Sequence, residues 1–273
     1  MTDNKTSLLQ DILSSAQFLS RLPIHKIAAL DETPDFKASS YTYGLAGVFV
    51  ALPTALVMLL CFWLGLSSWI SAILTITAGI MITGALHEDG LADMADGLWG
   101  GHTSERKLAI MRDSTIGTYG ALALILSIAL RIALLATLIN LLGYSAVLIV
   151  AAVGGLSRFS MLWPWSTLPP ARNGDKTEIS DTGKQAQSLA AKFGAPDQIA
   201  FTKSIPYIVP ALVLLAFTLP PIASVAALVF GAVAVGAITA LSNHHIKGVT
   251  GDTLGATQQF CEIGLYLGAC IAI

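Results

Sequence analysis

Long apolar runs separated by short polar breaks dominate the chain. We interpret six of them as helices that cross a bilayer, whose hydrocarbon core is about 30 Å thick. These six runs cover residues 43–66, 69–86, 117–142, 144–163, 205–219 and 222–241. A seventh run, 263–273, is too short to span alone. It predicts a short C-terminal helix that re-enters the membrane or packs within the bundle.

The N-terminal segment has a different pattern. Apolar residues recur there at helical spacing between Leu8 and Leu22, which predicts an amphipathic helix. This helix would lie on the membrane surface or pack under the bundle. Asp3, Lys5 and Asp11 interrupt the segment, so it does not have the form of a signal peptide. With no internal repeat, residues 1–273 are predicted to form a single membrane-embedded domain.

Composition supports an all-α integral membrane protein in contact with lipid. Hydrophobic residues make up 54% of the chain and charged residues only 12%, whereas soluble domains contain about 25% charged residues. The net charge of −2 gives no basic excess, which excludes a nucleic-acid-binding protein. Three cysteines in apolar surroundings, without CxxC spacing, indicate neither a disulfide framework nor a metal site.

Lysine and arginine occur in one set of alternating segments. These segments are 1–42, 87–116, 164–204 and 242–262. The opposite connections, at 67–68, 143 and 220–221, contain neither residue. By the positive-inside rule the charged segments face the cytoplasm. The sequence therefore predicts a multi-pass protein of the bacterial cytoplasmic (inner) membrane, with its chemistry on the cytoplasmic side.

Four carboxylates lie close together after the second apolar run: Glu88, Asp89, Asp93 and Asp96. The last three are spaced i, i+4, i+7, which places them on one helix face. Like charges at this spacing repel each other unless a cation lies between them. Mg²⁺ suits such oxygen ligands together with substrate phosphates. The alternatives are a solvated acidic helix end and a proton or cation pathway.

Two further polar segments extend this candidate site. Arg106, Arg112 and Asp113 follow the acidic cluster, and cations there suit a diphosphate substrate, although the segment also fits a helix cap. The glycine-rich stretch 248–262 lets backbone N–H groups approach a phosphate, or it is simply a connecting turn. It contains Thr250, Gly251, Asp252, Gln259 and Glu262.

Arg131 and Arg158 lie inside apolar runs. Each costs about 2.5–3.5 kcal/mol at the centre of a bilayer, so each is expected to face a polar interior. The run that contains Arg131 has no carboxylate. Its partner is therefore a substrate phosphate or an acid from another segment, of which Glu262 lies nearest the membrane. Snorkelling to the interface is the alternative, mainly for Arg158.

Several motifs resemble the cobalamin synthase family, whose members are adenosylcobinamide-GDP ribazoletransferases. They are GALHEDGLADMADGLWGG at 84–101, ERKLAIMRDSTIGTYG at 105–120, GVTGDTLGATQQFCE at 248–262 and FLSRLP at 18–23. Together they cover nearly the whole chain in the family's order. One departure occurs at Pro170-Ala171-Arg172, where the family usually has Pro-Tyr-Ala-Arg.

The resemblance implies a Mg²⁺-dependent enzyme of late cobalamin biosynthesis. It would join adenosylcobinamide-GDP to α-ribazole or its 5′-phosphate and release GMP. A homo-oligomer, or contact with other cobalamin-assembly enzymes, is a further expectation. The competing interpretation is a transporter or ion channel, but those proteins keep their polar groups near the midplane of the bilayer.

Residues and resemblance together predict three roles. The predicted catalytic residues are Asp89, Asp93, Asp96 and Arg112. The predicted substrate-binding residues are His87, Arg106, Asp113, Arg131, Arg158, Arg172, Thr250, Gly251 and Gln259. The predicted metal ligands are Glu88, Asp89, Asp93, Asp96, Asp252 and Glu262.

Overall fold

The computed structural model describes residues 7–27, 36–171 and 198–273, and no β-strand occurs among them. The helices are α1 Leu8–Leu19, α2 Ile24–Ile27, α3 Phe36–Ser39, α4 Tyr43–Trp63, α5 Ser68–Thr83, α6 Leu86–Gly100, α7 Ser104–Ile110, α8 Thr118–Leu142, α9 Ala146–Ser160, α10 Leu162–Thr167, α11 Gln198–Thr218, α12 Pro221–Ile246 and α13 Gly251–Ala272. Side chains from α4, α5, α8, α9, α11, α12 and α13 form the main apolar core. The predicted all-α class is confirmed.

Four described helical stretches are long and apolar enough to cross a membrane. They are Lys37–Trp63, Thr118–Thr167, Phe201–Thr218 and Pro221–Ile246. A fifth crossing results if α5 and α6 form one span, although an 88° bend separates them. The architecture is therefore that of a membrane protein, and the count of six spans stays a prediction.

The stretch Thr118–Thr167 contains a reversal of the chain at Gly143. Arg131 on α8 and Arg158 on α9 line the same cavity. A continuous helix would hold these two residues about 40 Å apart. The chain therefore turns back between α8 and α9, where Gly143 adopts a φ of 56°.

The break between α5 and α6 sets the direction of the acidic helix. Gly84 adopts a φ of 63°, and a Cβ there would lie 2.6 Å from Arg21 Cγ, so only glycine fits. Ala85 also has a left-handed backbone, with a φ of 58°. The predicted straight span 69–86 is therefore wrong at its end. Because α5 stops at Thr83, the acidic segment forms a separate helix at a large angle to it.

The C-terminal helix is longer than the short helix predicted at 263–273. It begins at Gly251 and contains 22 residues. Thr250 forms a capping box with Thr253, whose backbone N–H donates to Thr250 Oγ1 over 3.2 Å. The glycine-rich stretch is therefore mostly helix, and its polar residues enter the bundle. The prediction failed because these polar residues pair inside the protein and not with water.

Two glycines of α13 allow close packing against α12. A Cβ on Gly264 would lie 2.7 Å from the carbonyl oxygen of Phe230, and one on Gly268 would lie 2.4 Å from that of Ala226. The GxxxG spacing therefore marks a helix contact, as its pattern indicates.

Helix α1 packs against the bundle, the second of the two arrangements that its pattern allowed. Ser15 donates a hydrogen bond to the Ser39 carbonyl over 2.9 Å, and Tyr41 donates to Asp11 over 2.5 Å. Leu8 and Leu9 point outwards. The helix thus buries a mixed side, Asp11 and Ser15 together with Ala16 and Leu19, and leaves its first leucines exposed.

Candidate active site

The inner face of α6 joins a buried ionic network through Glu88. Arg131 Nη2 on α8 lies 2.9 Å from Glu88 Oε1, and Gln259 Nε2 on α13 donates to the same oxygen over 3.1 Å. Arg131 Nη1 also lies 3.6 Å from Glu262 Oε1. The Arg131 and Glu88 side chains are only 4% and 8% exposed. Three helices therefore meet at the buried Glu88 carboxylate, the partly buried Glu262 carboxylate and one guanidinium.

Gln258 and Ser157 extend this network, and the sequence interpretation did not include them. Gln258 Nε2 donates to Ser157 Oγ over 3.0 Å and to Glu262 Oε2 over 2.8 Å. Ser127 donates to Gln259 Oε1 over 3.2 Å. The two adjacent glutamines, Gln258 and Gln259, lie in a largely apolar stretch of sequence. Because buried amides need hydrogen-bond partners, this pair could have indicated a buried polar network.

A cavity of about 50 Å³ lies beside the network and is lined by His87, Glu88, Arg131, Arg158 and Tyr266, among others. Its size suits a few water molecules and not a nucleotide. Within the described residues, Glu88 Oε2, His87 Nε2 and Arg158 Nε find no hydrogen-bond partner. Polar and apolar groups thus line the cavity together, and it does not by itself hold the predicted substrate.

The two buried arginines differ in their partners. Arg131 lies at ion-pair distance from two carboxylates of other helices, which is one of the two kinds of partner that the sequence predicted, and its contact with substrate stays a prediction. Arg158 Nη1 donates to the Gly154 carbonyl of its own helix over 3.0 Å. Within the described residues no carboxylate lies at salt-bridge distance from Arg158. Neither arginine snorkels, since they are 3% and 7% exposed.

Asp96 caps the N-terminus of α8. The backbone N–H of Gly117 donates to Asp96 Oδ2 over 2.7 Å, and that of Gly120 donates to Oδ1 over 2.8 Å. A Cβ on either glycine would lie within 2.4 Å of an Asp96 oxygen. A carboxylate at a helix N-terminus also interacts favourably with the helix dipole. Asp96 therefore holds α8 in place, and its predicted catalytic and metal-binding role stays a prediction.

The outer face of α6 carries the other two acids. Asp89 is exposed and Asp93 is half-buried. Between them, Gly90 packs on the start of α13, since a Cβ there would lie 3.0 Å from the Asp252 carbonyl oxygen. Thr250 donates to Asp252 Oδ2 over 3.3 Å. The packing thus brings the acidic segment of α6 next to the start of α13, although the two are far apart in sequence.

The six predicted metal ligands do not form a single centre. In residues 7–27, 36–171 and 198–273, no three His, Cys, Asp or Glu side chains form a group that could hold a metal ion. Glu88 and Glu262 pair with Arg131, and Asp96 binds backbone N–H groups. Asp89, Asp93 and Asp252 are retained as candidates, because Mg²⁺ commonly uses one or two carboxylates together with substrate phosphates.

The segment after α6 presents cations and a polar turn. Arg106 and Arg112 are exposed. The backbone N–H and the hydroxyl of Thr115 donate to Asp113 Oδ1 over 3.0 and 2.7 Å. These hydrogen bonds lower the pKa of the Asp113 carboxyl below its ordinary value. Asp113 therefore shapes the turn before α8, and its predicted contact with substrate is an open expectation.

Helix α7 is attached to the bundle by a polar contact between Lys107 and His245. Lys107 Nζ lies 2.7 Å from His245 Nδ1 on α12, and Lys107 is buried. His245 therefore lies at the interface between α7 and α12. The predicted Arg172 lies outside the described residues. The nearby Ala171 N–H donates to the Val249 carbonyl over 3.0 Å.

Comparisons with known proteins agree on one family. The family described as cobalamin-5-phosphate synthase matches residues 11–270. A relative from Sinorhizobium medicae is 41% identical over 96% of this chain and 97% of its own length. Relatives from Azorhizobium caulinodans and Allorhizobium ampelinum are 39% and 37% identical over 97% and 98% of this chain, and 96% and 99% of their own lengths. All three are named adenosylcobinamide-GDP ribazoletransferase. No solved structure gives a significant match.

Proposed function

The chain belongs to the cobalamin-5-phosphate synthase family and is a membrane transferase of cobalamin biosynthesis; from this premise we propose that it joins adenosylcobinamide-GDP to α-ribazole or its 5′-phosphate in a Mg²⁺-dependent reaction. The products are adenosylcobalamin or its 5′-phosphate, and GMP. The family assignment excludes the alternative of a transporter or ion channel.

One observation supports the location of the reaction. The outer face of α6 presents Asp89 and Asp93, and its Gly90 contacts the backbone of Asp252 at the start of α13. This is the part of the described structure where acidic side chains and a glycine-rich helix start lie together. The arginines of the following segment, Arg106 and Arg112, are exposed. We therefore place the diphosphate of the substrate over this face of α6.

The reaction forms one bond to phosphorus and breaks another. The ribose 3′-hydroxyl of α-ribazole attacks the phosphorus next to cobinamide. The bond between that phosphorus and the oxygen bridging to GMP breaks, and GMP leaves with the electron pair. Arg106 or Arg112 stabilises the negative charge on the transferring phosphoryl group. A carboxylate of the site accepts the proton of the attacking hydroxyl.

In this proposal the acids of the outer face would also bind the metal ion. Asp89 and Asp93, two carboxylates one helical turn apart, would hold Mg²⁺ through oxygen atoms together with the substrate phosphates. The bound cation would neutralise diphosphate charge and make GMP a better leaving group.

GMP release tests the proposed reaction directly. The purified protein in lipid nanodiscs receives both substrates, and GMP is quantified with Mg²⁺ and with EDTA in its place. We expect GMP only when both substrates and Mg²⁺ are present. Absence of GMP from well-folded protein would refute the reaction. Release that is unaffected by EDTA would refute only the metal requirement.

The cytoplasmic orientation of the site is part of the same proposal. Cysteines replace Ser67 and Thr103 in separate proteins that also carry Cys270→Ser, because Cys270 is the one native cysteine that is only partly buried. In intact spheroplasts we expect an impermeant thiol reagent to label position 67. Position 103 should react only after lysis. Labelling of both positions from outside would contradict a cytoplasmic active site.

A further inference from the structure

We propose that Arg131 is a positioning residue, which sets the rotation of α6 through Glu88 and thereby the direction of Asp89 and Asp93. The inference rests on the proposed function for its link to catalysis. Its structural part concerns only how α6 is held. Arg131 itself lies inside the bundle, 3% exposed, so its effect reaches the outer face of α6 only through other residues.

Helix α8 holds α6 at two separate points. Glu88 binds Arg131 near the start of α6, and Asp96 binds the N–H groups of Gly117 and Gly120 near its end. Eight residues separate Glu88 from Asp96, which corresponds to about 12 Å along the helix axis. Two attachments this far apart fix both the tilt and the rotation of α6. The attachment at Glu88 is the one next to the outer-face acids.

A rotation of α6 that moves Glu88 also moves Asp89, because the two residues are neighbours on the same helix. Successive residues of an α-helix are about 100° apart around the axis, so Asp89 points about 100° away from the direction of Glu88 and is exposed where Glu88 is buried. If Glu88 lost its partners, its buried charge would be unpaired. Turning towards water would lower the free energy of this charge. That turn would move Asp89 and Asp93 together, since both lie on the same rigid helix.

Arg131 also connects α6 to α13. Its two terminal nitrogens reach different helices, Nη2 to Glu88 on α6 and Nη1 to Glu262 on α13. Gln259 of α13 donates to the same Glu88 oxygen that Arg131 binds. The planar, forked guanidinium suits this double contact, whereas a lysine offers a single charged nitrogen. Arg131 therefore fixes the acids of α6 relative to the start of α13, where Asp252 lies.

The test uses three substitutions and two readouts. Arg131→Gln removes the charge, Arg131→Lys keeps it, and Gln259→Met removes the second donor to Glu88. The first readout is kcat and KM of GMP release. The second is the ratio of thiol-labelling rates of single cysteines introduced at positions 89 and 93, measured without substrate in a Cys270→Ser background. A change in rotation alters this ratio, whereas a uniform loss of folded protein does not.

We expect Arg131→Gln to lower kcat by about tenfold or more, the usual size of effect for residues that orient ligands. KM should change less than kcat, because the substrate-contacting groups remain. The labelling ratio should shift at least about twofold. Arg131→Lys should recover part of kcat, and Gln259→Met should shift the ratio in the same direction. If Arg131→Gln does not fold, Arg131→Lys and Gln259→Met still decide the question.

Arg158→Gln provides a matched control for the labelling measurement. Arg158 is nearly as buried as Arg131 and lines the same cavity, but its assigned hydrogen bond goes to the carbonyl of its own helix. We expect Arg158→Gln to leave the labelling ratio unchanged. An equal shift in this control, or an unchanged ratio in Arg131→Gln, would overturn the proposal. If the wild-type protein released no GMP, the proposed function would fail, while the labelling result would still judge the role of Arg131.

Discussion

The four acids of α6 lie in two different environments. Glu88 and Asp96 are 6% and 8% exposed, and they have partners in α8 and α13. Asp89 is exposed and Asp93 is half-buried. The difference shows that one acidic motif contains two sets of residues, one that holds the helix and one that is accessible to a substrate.

The largest effect is expected at the outer face. Asp93→Asn removes a charge with little change of shape. It should lower the rate of GMP release by about 10²–10³-fold, the size seen when one charge-stabilising group is lost from an active site. The melting temperature should stay close to that of the wild type. Both quantities are measured on the same purified protein at saturating Mg²⁺.

Glu105→Gln is the control for Asp93→Asn. Glu105 is an exposed acid on the neighbouring helix α7 and has no role in the proposed reaction. It should retain wild-type activity. Activity of Asp93→Asn within a few-fold of the wild type would remove the outer face from the proposed mechanism.

The next effect is expected at Asp96, and it concerns stability. Asp96 accepts hydrogen bonds from two backbone N–H groups on its two oxygens. Asp96→Asn leaves one acceptor oxygen, so one N–H loses its partner and the helix dipole loses a charge. We expect a loss of about 2–3 kcal/mol in the free energy of unfolding. Unfolding of the purified variant in denaturant measures it.

Asp96→Asn also tests the division of the four acids into two sets. Its activity per folded molecule should fall much less than that of Asp93→Asn. A variant with wild-type stability and no activity would show that Asp96 belongs with the outer-face acids, as the sequence spacing predicted.

Gly90→Ala tests the contact that joins α6 to α13. The new Cβ would lie 3.0 Å from the Asp252 carbonyl oxygen and 3.1 Å from Asp252 Cα. Because these are backbone atoms, the two helices must move apart. We expect a loss of about 1–2 kcal/mol, as for other overpacked contacts. Gly251→Ala is the matched stability control, since no atom lies within 4 Å of its Cβ position. Equal stability of the two variants would contradict close packing at Gly90.

The sequence predicted those features that depend on local pattern. The helical membrane class, the amphipathic N-terminal helix and the need of Arg131 for a partner outside its own run all follow from runs, spacing or charge in one stretch of chain. Glu262 was identified as a candidate partner, and it lies 3.6 Å from Arg131. These predictions needed no knowledge of which helices are neighbours.

The features that the sequence did not predict depend on pairs that are far apart in the chain. Glu88 lies 43 residues from Arg131, and Gln259 lies 171 residues from Glu88. Spacing placed Asp96 with Asp89 and Asp93, whereas the contact with Gly117 separates it from them. The long C-terminal helix was missed for a similar reason, because its polar residues are satisfied by other helices. Polarity in a sequence shows that a partner is needed and does not identify that partner.

The smallest effect is expected in the turn before α8, outside α6. Thr115→Val removes the hydroxyl that donates to Asp113 and keeps the backbone N–H, so the pKa of Asp113 should rise part of the way towards its ordinary value. A carboxyl whose pKa is lowered on folding stabilises the protein above its unfolded pKa, and this contribution is lost as the pH falls through the lowered pKa. The wild type should therefore melt slightly above Thr115→Val at pH 7, and the difference should shrink in acid. Ser114→Ala is the control for a change in the same turn. A difference that grows as the pH falls would show that Thr115 does not act through the Asp113 carboxylate.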